Sequence, residues 1–295
     1  MTSGVAELTA GRDFAVYAAG MDAGLDVKLD DLRAGWAVVP SGGRVLDIGS
    51  GTGALLAAVG AERPDLRLSG VDLSPTLLHH SRTRLGAAAT LHEADASRLP
   101  FPDGTFDALI CSSVLHEVYS YGGYDRRRVA QTLTEFARVL RPGGQLAIRD
   151  GVAPDGGDRP VWLELIDAAT PARFADFRRR FRTTHPLPGV AALQHPCRRH
   201  RWQLRLHDAA EFLSKMDYLA NWTSELHEEF GVHTLGGWTR VLRAAGFSAT
   251  AGRSYVHPWV AAHRYRDRVA LHTSPGERPL PWPATTAVLH ARRAG

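Results

Sequence analysis

The chain has 295 residues, 44% of them apolar, and a formal net charge of +4 at pH 7, so it is long enough to bury a sizeable core and has an ordinary globular composition. No stretch approaches the roughly 18 consecutive apolar residues of a membrane helix, and residues 1–20 lack a basic start followed by an apolar region. These features argue against a membrane protein and predict a cytoplasmic one. The small charge excess is nearly all arginine, because Lys28 and Lys215 are the only lysines, and it argues little for nucleic acid.

The first 40 residues alternate short helical patterns with glycines and predict an N-terminal helical cap, residues 1–40. Strand-like and helix-like segments then alternate through a core predicted to span 41–150. Such alternation predicts an α/β fold, in which a mostly parallel sheet carries helices on both faces. The predicted strands are 44–48, 67–71, 89–92, 106–111 and 145–149, and the clearest predicted helix is 127–140.

After the fifth strand the alternation stops. Residues 151–236 are rich in proline, arginine and aromatic residues, and the segment is far longer than an ordinary α/β connection. We predict a helical lid insertion that binds substrate. Residues 237–295 then return to the core with a helix and two strands, near 247–256 and 284–291, which would complete seven strands.

The most informative segment is a buried strand that runs into a glycine loop and a helix. It covers Val45 to Gly53, with Asp47 at the strand end and glycines at 49, 51 and 53. Glycines accept positive φ and let the backbone approach a ligand, and the following helix offers unpaired N–H groups. Asp72 ends the next strand, 19 residues beyond Gly53, where a carboxylate can accept hydrogen bonds from ribose hydroxyls.

The loop reads G-x-G-x-G after an acid, and it resembles motif I of the class I S-adenosylmethionine-dependent methyltransferases. Four further segments agree with that family in order: Val71-Asp72-Leu73-Ser74-Pro75, Glu93-Ala94-Asp95-Ala96, Phe106-Asp107-Ala108-Leu109-Ile110 and Leu140-Arg141-Pro142-Gly143-Gly144. The resemblance covers residues 45–149, with a loose match near 242–247. It implies a Rossmann-like sheet of seven strands, the last one antiparallel, with S-adenosyl-L-methionine as the cofactor.

The resemblance also implies roles for individual residues. Asp47 would face the cationic end of the cofactor, Asp72 would hold the ribose diol, and Asp95 would meet the adenine amino group. The alternative for the first motif is a glycine-rich turn that binds no ligand. The alternative for Asp95 is an exposed loop acid without a role in binding. The complete predicted cofactor set is Asp47, Gly49, Ser50, Gly51, Gly53, Asp72, Leu73, Asp95, Ala96 and Ser112.

The residues after the fourth strand would face the methyl acceptor. His116 is a candidate general base, because a neutral imidazole titrates near physiological pH; packing or helix capping is an equal alternative. Glu117 could anchor a cationic amine, although an acid at a helix start is also favoured by the helix dipole. Tyr119 and Tyr121 could line the acceptor pocket.

Two charged residues end the fifth strand, Arg149 and Asp150. We predict that Arg149 orients an acidic acceptor, with a structural ion pair as the competing explanation. Trp162 in the insertion and Tyr255 after the sixth strand are further candidates for substrate binding, although aromatic residues in the insertion can equally form its core.

Nine arginines between 173 and 205 concentrate positive charge in 33 residues, with Asp176 as the one acid in that segment. They suit a polyanionic partner, RNA or an acidic metabolite, but a solvated face is the default. The two cysteines, Cys111 and Cys197, lack disulfide or metal-motif spacing and are expected as free thiols. The histidines show no tight ligand spacing, so we predict no metal.

We therefore predict a methyltransferase that acts on an O, N or C nucleophile of a small molecule, of the kind found in natural product biosynthesis. No Asn-Pro-Pro-Tyr or Asp-Pro-Pro-Tyr motif follows the fourth strand, which argues against amino-adenine or glutamine methylation. The alternatives are an RNA methyltransferase and a protein that binds the cofactor without transferring methyl. The acceptor stays open, and so does the oligomeric state, with a homodimer as one alternative.

Overall fold

The computed structural model describes residues 18–20, 22 and 24–295, which form two compact units. The first unit combines the chain up to Asp150 with Gly236–Arg253 and Val288–Gly295, and the second consists of Gly151–Leu235 and Ser254–Ala287. The segment Ser254–Ala287 therefore belongs with the insertion and not, as the sequence indicated, with the core. Much of the predicted helical cap, residues 1–17, 21 and 23, lies outside the described residues.

In chain order, the helices and strands are α1 Leu25–Leu32, α2 Ala34–Ala37, β1 Arg44–Ile48, α3 Ala54–Glu62, β2 Arg67–Asp72, α4 Pro75–Leu85, β3 Ala89–Glu93, β4 Phe106–Ser112, α5 Leu115–Tyr121, α6 Arg126–Val139, β5 Leu140–Gly151, β6 Pro160–Leu165, α7 Thr170–Arg180, β7 Leu193–His195, β8 Arg198–Arg205, α8 Leu206–Lys215, α9 Trp222–His227, α10 Leu235–Ala244, β9 Phe247–Tyr255, α11 Pro258–Val260, β10 Val269–His272 and β11 Thr286–Arg293.

A seven-stranded sheet in the order β3-β2-β1-β4-β5-β11-β9 forms the centre of the first unit. Strands β1 to β5 pair in parallel, with β1 between β2 and β4. Parallel neighbours end at the same edge of a sheet, so the residues that follow β1, β2 and β4 are brought together there. The predicted α/β class and the mostly parallel seven-stranded sheet are confirmed.

Local signals set the helix boundaries in this unit. The Ser74 side chain accepts a hydrogen bond from the backbone N–H of Leu77, and Pro75 opens α4, as favoured at helix starts. Val129, Leu133 and Phe136 recur at helical spacing in α6 and are all fully buried. The predicted helix 127–140 is thus correct to within one residue at each end.

The second unit has a four-stranded sheet of its own, in the order β10-β6-β8-β7, and all three of its pairings are antiparallel. The sequence predicted a helical insertion, and the presence of this antiparallel sheet contradicts that part of the prediction. The alternation of Val161, Leu163 and Leu165 with Trp162 and Glu164 has the period of two that a strand requires. The three aliphatic side chains are buried in one core together with Phe174, Phe177 and Phe181.

Both cysteines are free thiols, Cys111 buried and Cys197 exposed, as predicted. None of the helices in the described part of the chain combines the length and the hydrophobicity that a membrane span requires.

Candidate active site

The glycine loop after β1 has the backbone conformation that its sequence predicts. Gly49, Gly51 and Gly53 have φ of 68°, 53° and 76°, a region that disfavours other residues. A Cβ on Gly49 would lie 2.4 Å from Cγ2 of Val114, so this position has neither the conformational nor the steric room for a side chain. The loop is therefore held close to the residues that follow β4.

Asp72 at the end of β2 fixes this loop. Its Oδ2 atom accepts a hydrogen bond of 2.8 Å from the backbone N–H of Gly51, and its Oδ1 atom accepts one of 2.8 Å from the backbone N–H of Ser74. Each carboxylate oxygen keeps a second lone pair for a further donor, such as a ribose hydroxyl. Burial raises the pKa of Asp72, and the two backbone hydrogen bonds act against that rise.

Among the acids at this edge of the sheet, Asp47 has the most strongly shifted pKa. Burial raises the pKa of its carboxyl to about 8, the nearby Asp72 adds to the rise, and Lys28 of α1 opposes it. Burial also lowers the pKa of Lys28, and the charge of Arg149 lowers it further. The site therefore holds two neighbouring acids in a poorly solvated place that favours a positive charge.

Two hydroxyls at the same edge are buried with no hydrogen-bond partner among the described residues, Ser50 Oγ and Ser112 Oγ. The other predicted cofactor residues differ in exposure. Leu73 is exposed and Ala96 is buried. Asp95 is exposed, and its Oδ1 atom accepts hydrogen bonds of 2.7 Å from both the backbone N–H and the hydroxyl of Ser97.

His116, in the first turn of α5, is held by Asp150 at the end of β5. Nδ1 of His116 lies 2.6 Å from Oδ1 of Asp150, and both side chains are buried. The second carboxylate oxygen accepts a hydrogen bond of 2.7 Å from the backbone N–H of Leu115. The sequence indicated Asp150 only as a neighbour of Arg149, and this contact was missed, although β4 and β5 are adjacent parallel strands.

Arg149 does not pair with Asp150. Its Nε atom lies 3.0 Å from Oδ2 of Asp31 in α1, and the other oxygen of Asp31 lies 2.5 Å from Arg253 of β9. Successive strand residues point to opposite faces of a sheet, which separates the side chains of Arg149 and Asp150. Arg149 therefore forms an ion pair with Asp31, a partner that the sequence did not indicate, and the pair with Asp150 that was considered as the alternative does not form.

The remaining predicted residues are distributed over both units. Tyr119 is buried in α5 with its ring against Tyr124, while Glu117 and Tyr121 are half-buried. Trp162 lies in β6 of the second unit, where its ring contacts His195. Tyr255, also assigned to the second unit, lies at the end of β9, 6.5 Å from the ring of His257 between centroids.

The arginine-rich segment is mostly neutralised within the second unit. Arg173 pairs with Asp217, Arg182 with Asp208 and Glu229, and Arg201 with Glu164, and Arg178 stacks on Trp202. Arg179 and Arg180 pair with Asp176, and Arg205 pairs with Asp208. Only Arg198 and Arg199, exposed on β8, meet neither an acid nor an aromatic ring of the described residues.

Comparison with known proteins identifies residues 46–148 of the first unit. Residues 46–148 match the family described as Methyltransferase domain. A demethylmenaquinone methyltransferase from Deinococcus radiodurans is 33% identical over 137 residues, which are 45% of this chain and 54% of that protein. Residues 46–148 belong to the class I S-adenosylmethionine-dependent methyltransferases.

Further relatives agree with this methyltransferase domain. The 27-O-demethylrifamycin SV methyltransferase of Amycolatopsis mediterranei is 34% identical over 128 residues, 42% of this chain and 44% of that protein. The chain spans about half the length of the curated relatives that it matches. An S-adenosylmethionine-dependent methyltransferase structure from Mesorhizobium loti shares the fold with a TM-score of 0.51 and 21% identity, covering 88% of this chain and 96% of that one.

The residues of the methyltransferase domain fit the family's cofactor, S-adenosylmethionine. This nucleoside carries a positive charge, which suits the buried Asp47 beside Asp72, and its hydroxyl, amino and carboxylate groups suit Ser50 and Ser112, whose buried hydroxyls have no described partner. Burying an acid and burying hydroxyls without hydrogen bonds each cost free energy. A ligand that supplied both the positive charge and the hydrogen bonds would reduce both costs.

Proposed function

We propose that this protein transfers a methyl group from S-adenosylmethionine to an O, N or C nucleophile of a small molecule. The observation that carries the proposal is the hydrogen bond between Asp72 and the backbone of Gly51, because it joins the glycine loop to the acid in the arrangement that a ribose requires. The curated relatives act on small molecules, a demethylmenaquinone and a demethylrifamycin by their names, which supports an acceptor of that size.

In this proposal the cofactor supplies an electrophilic methyl group. The protein binds the cofactor and the acceptor, orients them toward each other and excludes water. Asp47, Gly49, Gly51 and Asp72 would bind it, with the help of Ser50, Leu73, Asp95, Ala96 and Ser112. The backbone of the loop is already in place through Asp72, so little ordering would remain for the moment of binding.

His116 would act as general base toward a hydroxyl or amine acceptor. In the tautomer that donates its Nδ1 hydrogen to Asp150, the imidazole would take the acceptor proton at Nε2. Asp150 is then a positioning residue that sets the tautomer and orientation of the imidazole. Glu117, Tyr119 and Tyr121 of the same helix remain candidates for acceptor contacts, and so do Trp162 and Tyr255.

The ion pairs of the arginine segment favour a small molecule over RNA. Seven of its nine arginines already meet an acid or an aromatic ring of the second unit, so little of their charge is left for phosphates. Together with the small molecules named for the relatives, this supports a small-molecule acceptor. We further propose that the enzyme is cytoplasmic and belongs to natural product biosynthesis.

The proposal is tested by calorimetry and by labelling. Purified protein freed of ligand should bind S-adenosylmethionine and S-adenosylhomocysteine, and the variant Asp72→Ala should bind both at least tenfold more weakly. Incubation with methyl-labelled cofactor and a fractionated metabolite extract should then move label into a small molecule. Binding without any transfer would favour a protein that keeps the cofactor pocket for another purpose, and no binding would refute the proposal.

A further inference from the structure

The second unit contains a pocket of its own, with a volume of about 240 Å³. All of its lining residues belong to Gly151–Leu235 or Ser254–Ala287. Pockets for drug-sized ligands have volumes of roughly 300–1,000 Å³, so this one suits a molecule of one or two rings. It does not suit a polymer.

One wall of the pocket is flat, apolar and rigid. Trp282 stands between Pro281 and Pro283 and lines the pocket together with Leu206 and Leu235. Proline fixes the backbone on both sides of the tryptophan. A flat wall that is already ordered binds a planar ring without a large loss of side-chain freedom.

The position of the tryptophan is also fixed from behind. The indole of Trp282 meets the ring of Tyr265 edge to face, with centroids 5.6 Å apart, and Tyr265 is fully buried. The indole is itself half-buried, and it packs against the core of the second unit. The wall therefore belongs to the folded structure of this unit.

The pocket also holds a guanidinium that forms no ion pair within the described part of the chain. Arg159 lines it and is exposed, and no acidic side chain of the described residues lies within ion-pair distance of its guanidinium. Asp155 lines the same pocket but forms no ion pair with Arg159. This separates Arg159 from the arginines of the second unit that pair with acids, such as Arg173 and Arg182.

We propose that this pocket binds a small aromatic acid, with its ring on Trp282 and its carboxylate on the guanidinium of Arg159. Arginine presents a planar fork of donors that matches a carboxylate. The inference goes beyond the proposed function and does not rest on it, because binding to the pocket can be measured without cofactor.

The experiment uses the full chain and two probes of nearly equal shape, 1-naphthoate and the uncharged naphthalene-1-carboxamide. We expect calorimetry to detect 1-naphthoate binding, weakened roughly tenfold or more by Arg159→Gln. The carboxamide should bind the wild type and Arg159→Gln equally. Arg198→Gln is the matched control, since it removes an exposed arginine of the same unit outside the pocket, and it should change nothing. Arg159→Lys keeps the charge without the fork and should recover part of the affinity.

The aromatic wall is tested by Trp282→Ala, which should weaken both probes, with circular dichroism to establish that the variant is folded. Absence of 1-naphthoate binding, or equal binding by Arg159→Gln and Arg198→Gln, would overturn the inference. A separate titration with S-adenosylmethionine keeps the two proposals apart: absence of cofactor binding by the wild type would refute the proposed function and leave the pocket to be judged by the probes.

Discussion

The imidazole of His116 and the carboxylate of Asp150 form a buried contact of 2.6 Å between α5 and the end of β5. Asp150 also accepts the backbone N–H of Leu115, so it fixes both the start of the helix and the ring of the candidate base. The two functions of this carboxylate can be separated by substitution.

Asp150→Asn should lower kcat for methyl transfer about 100-fold, because an amide no longer stabilises the protonated imidazole. The Kd for S-adenosylmethionine should stay within a factor of about three. Once an acceptor has been identified, single-turnover kinetics measure the rate of methyl transfer, and calorimetry measures the Kd for S-adenosylmethionine. Asp103→Asn, which removes one of the two acidic partners of Arg138 at an exposed site, is the control. An unchanged kcat would show that His116 has a packing role.

Asp47→Asn should stabilise the ligand-free protein increasingly as pH rises from 5 to 8. Burial raises the pKa of Asp47 to about 8 in the folded protein, whereas the unfolded chain ionises it near pH 4. Between these values unfolding releases a proton, so the acid lowers stability by up to about 1.4 kcal/mol per pH unit. Urea unfolding of both proteins at three pH values measures the difference. A pH-independent difference would contradict the burial of a protonated Asp47.

Arg149→Ala should act mainly on stability, at a cost of about 1–3 kcal/mol, because it removes an arginine partner of the buried Asp31. A double-mutant cycle with Asp31→Asn should give a coupling energy above about 0.5 kcal/mol. The exposed pair Arg33 and Asp30 serves as the control, with a coupling of about 0–0.5 kcal/mol. An Arg149→Ala protein of normal stability with a raised acceptor KM would instead support a role in orienting an acidic acceptor.

Gly49→Ala should cost at least about 1 kcal/mol more stability than Gly123→Ala. Both glycines have positive φ, 68° and 80°, so both substitutions carry the same backbone penalty. Only at Gly49 would the new Cβ meet another side chain, Val114 at 2.4 Å, while a Cβ on Gly123 meets nothing within 4 Å. Chemical denaturation of the two variants gives the comparison. Equal losses would mean that the loop can move away from Val114.

RNA binding, where it is detected at low salt, should have a weak salt dependence. Arg198 and Arg199 are the arginines of the segment that meet neither acid nor ring within the described residues, so the slope of log K against log salt should not exceed about 2 in magnitude. Filter binding of single-stranded RNA between about 50 and 200 mM salt measures it. A slope of about 5 or more would return the RNA alternative to consideration.

Much of the cofactor site could be predicted because its signals are local. A strand needs a run of apolar residues, and a turn with positive φ needs glycine at defined positions. Both are visible in Val45 to Gly53. The helix start at Ser74-Pro75 is equally local, since Ser74 caps α4 and Pro75 opens it. The insertion was less readable, since it matched no motif and the period-two alternation of strand β6 was not recognised.

The sequence by itself determined the strand, glycine loop and helix, the acid that follows and the family that they indicate, since each depends on neighbours along the chain. Only the tertiary structure decided which charges meet. Asp31 reaches Arg149 across 118 positions, and Asp217 and Glu164 neutralise arginines of another segment. Electrostatic pairing depends on distance in space and on burial, and neither is written in the order of the residues.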